Sequence, residues 1–229
     1  MYENILYAEN QGIATITINR ESQLNALTID TIQEVGLAMQ AALASDEVKG
    51  IIITGAGEKA FIAGADIKEF SDFSPEEARD MSAAGHDVFN AVENSPKPVI
   101  AAIQGFVLGG GCELAMACHI RIATSGSKFG QPEVNLGLIP GYGGTQRLLK
   151  LAGHAKGLEL LMTGDMIAAD EAHRLGLVNH VVSDEELMPA CEKMLQKIAR
   201  KSSLTIAHIL KLGQAYQSKS ADGFHMEIE

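Results

Sequence analysis

The alternation of apolar and polar residues near the N-terminus predicts a strand over residues 13–19. The segment reads IATITIN, and its apolar residues recur at every second position, the period that places one face of a strand in a core. Residues 5–8 are positioned to pair with it as a hairpin. Two later segments, 50–55 and 98–104, are short runs of mostly apolar residues, which predict strands buried on both faces.

Helical signals separate these strands. Thr28 or Asp30 can cap a helix whose apolar face consists of Ile32, Val35, Met39 and Leu43. Ser183 and Glu186 match the capping box of a later helix. Other helical segments are 74–92, 113–118, 145–151, 157–162, 170–175 and 201 to the end, and further strands are predicted over 120–123 and 177–182. Strands and helices alternate without a low-complexity linker, so the sequence predicts an α/β fold with parallel strands.

Length, charge and cysteine content narrow the class of protein. The 229 residues suffice for one large domain. The net charge is −11, which disfavours nucleic acid as a partner, because an acidic surface repels a phosphate backbone. No apolar run approaches the ~20 residues of a membrane-spanning helix, and the N-terminal residues lack the features of an export signal. The three cysteines have no disulfide-framework spacing, so a reducing cytoplasm is expected.

Two carboxylates, Glu113 and Glu133, are the strongest candidates for chemistry. Glu113 follows the glycine-rich run at 109–112, and Glu133 follows the run FGQP at 129–132. The segment between them, 114–118, is apolar enough to be core. Two glutamates that flank one buried element on rigid supports suggest a general acid–base pair.

Two loops offer backbone N–H groups for an oxyanion. The junction 109–113 leads from a strand into a helix, and the first N–H groups of a helix have no intrahelical acceptor. Such a junction suits an anion or a developing oxyanion, although the glycines equally fit a helix that packs closely on a strand. The loop 63–66 also follows a strand region and can supply a second donor, or it is a plain turn.

Five segments together resemble, in order, the motifs of the crotonase family, and the resemblance is closest to its enoyl-CoA hydratases. The segments are AFIAGADI at 60–67, PVIAAIQG at 98–105, LGGGCELA at 108–115, FGQPE at 129–133 and PGYGGTQRL at 140–148. The resemblance spans residues 5–182, and the fixed order of five motifs makes it specific.

Site residues follow from this resemblance. It implies that Glu113 and Glu133 are the catalytic pair, with Glu113 activating water and Glu133 donating the proton. It implies an oxyanion hole made by the backbone N–H groups of Ala65 and Gly110. The implied substrate and CoA contacts are Ala63, Gly64, Ala65, Asp66, Ile67, Lys68 and Gly110. Asp66 also fits a simple turn former, and Lys68 fits either a CoA phosphate contact or a solvated side chain.

The resemblance implies a crotonase-like spiral of strand–strand–helix units followed by a C-terminal helical region. Residues 1–195 would form the spiral core with the active site. Residues 196–229 would begin the helical trimerisation region, which is expected to be truncated, because family members continue with further helices. The implied assembly is a homotrimer or a hexamer made of two trimers. The implied ligand is an acyl-CoA thioester, with no cofactor beyond the CoA of the substrate and no metal.

The expected reaction is the reversible hydration of a trans-2-enoyl-CoA to a 3-hydroxyacyl-CoA, in fatty-acid or butyrate-type metabolism. An enoyl-CoA isomerase of the same family is one alternative, although the presence of both glutamates favours hydration. A non-catalytic homologue that binds RNA or protein is another, and the acidic charge disfavours RNA. The loop 141–144 lacks a dinucleotide fingerprint and is expected to help wall the acyl pocket. Chain-length preference is expected to depend on the packing of residues 70–89, which the sequence does not determine.

Overall fold

The computed structural model describes residues 2–217 of the chain, and the strands in this part form two sheets. The large sheet has the order β1 (Ile5–Asn10), β2 (Ile13–Ile18), β3 (Gly50–Gly55), β5 (Val99–Ile103), β7 (Ile120–Thr124) and β10 (His180–Val182). The small sheet has the order β4 (Ala60–Ile62), β6 (Phe106–Leu108), β8 (Lys128–Gly130) and β9 (Ile167–Ala168). Strands β1 and β9 are antiparallel to their neighbours, and all other pairs are parallel.

Helices fill the connections between the strands. They are α1 (Ile29–Ala44), α2 (Ile67–Phe70), α3 (Pro75–Glu93), α4 (Gly110–Ala117), α5 (Gly144–Ala152), α6 (His154–Thr163), α7 (Ala169–Arg174), α8 (Leu187–Ala199) and α9 (Ser203–Gln217). Short 3₁₀ helices cover Glu21–Gln23 and Pro132–Leu136. Helices α8 and α9 lie near the end of the described chain, and residues 218–229 of the predicted C-terminal region lie outside the described residues.

A strand–strand–helix unit occurs three times within the described residues. The units are β3–β4–α3, β5–β6–α4 and β7–β8–α5, with the short α2 added in the first. The first strand of each unit joins the large sheet and the second joins the small sheet. Each unit therefore lies one strand further along both sheets, and the chain winds as a spiral. This arrangement confirms the predicted α/β crotonase-like fold with its helical C-terminal region.

The large sheet is buried on both faces. Ile51 and Ile53 of β3 belong to the main core, whereas Ile52 between them faces the opposite side. On that side the sheet packs against α8, whose Leu195 is fully buried. The short apolar runs therefore form doubly covered strands, as the sequence predicts.

Several predicted boundaries are wrong in detail. Helix α4 begins at Gly110 rather than at residue 113, because its first turn is built from glycines that make no periodic pattern. The strand predicted over 177–182 is shorter in the structure and covers only His180–Val182. The Ser183 hydroxyl donates to the Glu186 carboxylate at 3.1 Å, but this contact precedes α8 and does not cap it. Thr28 is the cap of α1, because its hydroxyl accepts from the Thr31 N–H.

Candidate active site

The glycines at the start of α4 serve two purposes. Gly109 has a φ of 49° and ends β6, with its N–H donating to the Gly130 carbonyl at 3.0 Å. A Cβ on Gly111 would lie 2.2 Å from the Ile62 carbonyl, so α4 packs directly on the small sheet. The Gly110 N–H has no protein acceptor among the hydrogen bonds of the described residues. The junction therefore combines close packing at Gly111 with an N–H at Gly110 that is available to a ligand, and its use as an oxyanion donor stays a prediction.

The loop 63–66 presents a second donor, the Ala65 N–H, which has no acceptor within residues 2–217. The Leu27 N–H donates to the Gly64 carbonyl, and the Asp66 N–H donates to the Leu27 carbonyl, both at 2.8 Å. Leu27 and Ala65 thus form a parallel bridge. Because Gly64 and Asp66 make its hydrogen bonds, the N–H of Ala65 points to the opposite side. A Cβ built on Gly109 would lie 3.6 Å from the Gly64 Cα. The two loops therefore lie side by side, as an oxyanion hole requires.

Glu113 lies on the first turn of α4 and is almost completely buried, with 1% of its surface exposed. Its Oε1 accepts hydrogen bonds from the Tyr142 N–H at 2.8 Å and the Gly144 N–H at 2.6 Å. Burial raises the pKa of Glu113 to about 7, and the two N–H donors oppose that rise. A carboxyl group with this pKa can exchange a proton near neutral pH.

Glu133 sits in the 3₁₀ helix that follows β8. A Cβ on Gly109 would lie only 2.9 Å from its Oε1, so the carboxylate lies against the start of α4. With its amide nitrogen facing Glu133, the buried Gln131 donates to both carboxylate oxygens at 3.1 Å. Burial raises the pKa of Glu133, and the charge of Glu133 contributes to the raised pKa of Glu113. The structure thus brings the two predicted glutamates into one site.

The remaining predicted contacts belong to the loop 63–66 and the start of α2. Asp66 caps α2 and forms an ion pair with Arg20 at 3.2 Å, so it is more than a turn former. Ile67 and Lys68 are exposed. Arg20 and the supporting Gln131 were not predicted. Gln131 is close to Glu133 in sequence and could have been suspected, whereas nothing in the sequence links Arg20 to Asp66.

Two other reactive side chains, Cys112 and His119, have structural roles. Burial raises the pKa of the Cys112 thiol to about 12, which disfavours a thiolate nucleophile. The Nδ1 atom of His119 accepts from the Val99 N–H at 3.0 Å.

In the part of the chain that the structure describes, no group of three or more His, Cys, Asp or Glu residues is arranged to hold a metal ion. No helix between residues 2 and 217 is long and apolar enough to cross a membrane.

The raised pKa of Glu113 predicts a pH-dependent cost to folding. Its pKa rises from 4.5 to about 7 in the folded state, so its stabilising contribution is complete below pH 4.5 and is lost as the pH rises through 7. Glu113→Gln removes the ionisation while keeping an oxygen acceptor. The difference in unfolding free energy between the variant and wild type should therefore change in the variant's favour as the pH rises from 5 to 8. The contribution lost from wild type reaches about 3 kcal/mol at pH 8. Urea titrations at one protein concentration measure it, and a pH-independent difference would contradict this assignment.

The spiral fold, with buried Glu113 and half-buried Glu133 in one site, defines a protein of the crotonase type. The chain belongs to the enoyl-CoA hydratase/isomerase family, whose model matches residues 8–228. A crotonyl-CoA hydratase of Syntrophomonas wolfei is 50% identical over 205 residues, which cover 90% of this chain and 79% of that protein. A short-chain-enoyl-CoA hydratase of Clostridium acetobutylicum is 46% identical over 203 residues, covering 89% of this chain and 78% of that protein.

A solved structure shows the same fold. The enoyl-CoA hydratase of Bacillus anthracis superposes with a TM-score of 0.93 at 36% identity, covering 98% of this chain and 88% of that one. These similarities confirm the predicted crotonase family and its predicted resemblance to enoyl-CoA hydratases. They also confirm the prediction of an enzyme, a hydro-lyase.

Proposed function

We propose that this enzyme adds water reversibly to a trans-2-enoyl-CoA, giving a 3-hydroxyacyl-CoA, in fatty-acid or butyrate-type metabolism. One observation carries the proposal: buried Glu113 and half-buried Glu133 lie beside the adjacent loops that carry the N–H groups of Ala65 and Gly110, and neither N–H donates to an acceptor among the described residues. The names of the relatives, a crotonyl-CoA hydratase and a short-chain-enoyl-CoA hydratase, support the same reaction.

The two backbone donors are the proposed oxyanion hole. When water adds to Cβ of the substrate, negative charge moves to the thioester oxygen. The N–H groups of Ala65 and Gly110 belong to a bridged loop and a helix terminus, so they are already oriented before the substrate binds. Donors held in this way stabilise the enolate without reorganising during the reaction.

The two glutamates divide the proton transfers. Glu113, oriented by two N–H donors, accepts a proton from the water whose oxygen bonds to Cβ. Glu133, whose pKa burial raises, donates its proton to Cα as the enolate collapses to the thioester. The carbon–carbon double bond becomes single, one O–H proton of water reaches Glu113, and one proton leaves Glu133. Nearby carboxyl groups with raised pKa values suit this exchange.

The CoA portion is proposed to run along residues 63–68 and Gly110, where exposed Lys68 is available to a CoA phosphate. No cofactor beyond this CoA is proposed. We also propose a homotrimer or hexamer, with the helical residues from 196 to 217 in its assembly region. Three free cysteines support a reducing compartment, the cytoplasm.

The proposed reaction is tested by adding the protein to crotonyl-CoA and following the loss of its conjugated enoyl absorbance. We expect rapid loss and formation of 3-hydroxybutyryl-CoA, identified by chromatography. If absorbance holds while a 3-enoyl-CoA is converted to the 2-enoyl isomer, the enzyme is an isomerase instead. If CoA thioesters neither bind nor react, a non-catalytic homologue becomes the better description.

A further inference from the structure

The side chain of Tyr142 occupies the space between α3 and the start of α4. Only 4% of its surface is exposed. A Cβ on Gly85 of α3 would lie 2.3 Å from Cδ1 and Cε1 of the ring. A Cβ on Gly110 of α4 would lie 3.4 Å from Cδ2 and Cε2, on the opposite edge. The ring of Phe89 lies 5.3 Å away, centroid to centroid. The Tyr142 ring thus fills the gap between the two helices.

This ring borders the place where the acyl chain must lie. The proposed oxyanion donor is the N–H of Gly110, and Glu133 lies on one side of that backbone, against Gly109. The other side, where a Cβ of Gly110 would point, is covered by the Tyr142 ring and by the Leu27 Cδ1 methyl group at 3.4 Å. An acyl chain that leaves the thioester carbon past the acid–base pair therefore meets an apolar wall.

The wall is fixed in position from behind. The Arg147 guanidinium donates to the Tyr142 carbonyl at 2.7 Å and forms an ion pair with Glu93 of α3 at 2.6 Å. The Ser82 hydroxyl, also on α3, donates to the Gly141 carbonyl at 2.6 Å. The loop is tied to α3 on both sides of Tyr142, so the ring has little freedom to swing aside for a longer chain.

We infer that Tyr142 determines the substrate class by closing the acyl pocket to all but short chains. The inference rests on the proposed hydration at the same site. Without the ring, the space between α4 and Gly85 becomes continuous with the acid–base pair. The ring and hydroxyl that Tyr142→Ala removes are larger than the four carbons that octenoyl adds to crotonyl.

The test compares kcat/KM for crotonyl-CoA and trans-2-octenoyl-CoA in wild type and Tyr142→Ala. One misfitting methylene in an apolar pocket changes kcat/KM by about 10-fold or more. Wild type should therefore strongly prefer crotonyl-CoA, and Tyr142→Ala should raise the octenoyl-to-crotonyl ratio by at least about 10-fold. Tyr142→Phe keeps the ring, so its ratio should stay near that of wild type. Leu195→Ala is the matched control for core loss, because Leu195 is buried on the other face of the large sheet.

The outcomes separate this inference from the proposed reaction. If wild type hydrates neither substrate, the proposed function fails. If wild type hydrates crotonyl-CoA and folded Tyr142→Ala keeps the wild-type ratio, the role of Tyr142 is overturned. A ratio that rises equally in Leu195→Ala would also overturn it, because loosening of the core would then be the cause. Should Tyr142→Ala fail to fold, Tyr142→Leu makes the same comparison with less space opened.

Discussion

Glu133→Gln is expected to lower kcat for hydration of crotonyl-CoA by about 10²–10⁴-fold, the usual contribution of a positioned general acid. The amide preserves the size of the side chain, and Gln131 can rotate its own amide to remain hydrogen bonded to it. The folded structure should therefore survive while the proton destined for Cα is lost. KM should change far less than kcat, because the carboxyl group acts in the transition state.

The measurement is the steady-state loss of enoyl absorbance, with incorporation of solvent deuterium at Cα as a second readout. Both should fall together in Glu133→Gln, because the same carboxyl group delivers the proton in each. Glu159→Gln is the control, since Glu159 lies on α6 and forms a surface ion pair with Lys156; its kcat should match wild type. A folded Glu133→Gln enzyme with near-normal kcat would remove Glu133 from the mechanism.

Much of the large sheet was predictable, because the apolar pattern within each of its longer strands indicates which faces are buried. The run at β3 is apolar on both faces, and β2 alternates with a period of two. The strands of the small sheet are two or three residues long, which is too short for a periodic signal. They are strands only because neighbouring units of the spiral place them side by side.

The two glutamates were predictable because each stands beside glycine or proline in a short motif. Their supporting contacts were not, because these join residues that lie far apart in sequence. The Tyr142 N–H reaches Glu113 from 29 positions away, and Arg20 reaches Asp66 from 46 positions away. Gly85 lies in a polar helix with no motif, and its importance appears only when the Tyr142 ring is seen against it.

Gly110→Pro is expected to lower kcat by about 10²–10³-fold, the typical effect of removing one oxyanion donor. Proline lacks the N–H but is well tolerated at the first position of a helix, which is where Gly110 lies in α4. Gly110 is absent from the glycines with positive φ, so the backbone suits the proline ring. The preceding residue is Gly109, which has no Cβ to oppose it.

Gly110→Ala separates the lost donor from the added bulk. Its Cβ would meet Leu27 and Tyr142 at 3.4 Å, an ordinary van der Waals distance, and its N–H remains. Its kcat should stay within about 10-fold of wild type, well short of the loss expected for a missing oxyanion donor.

A conjugated dienoyl-CoA supplies a readout without turnover, because polarisation of its carbonyl shifts its absorbance to longer wavelength. Wild type and Gly110→Ala should show this shift, and Gly110→Pro should bind the ligand with a much smaller one. A full shift in folded Gly110→Pro would mean that another donor polarises the thioester.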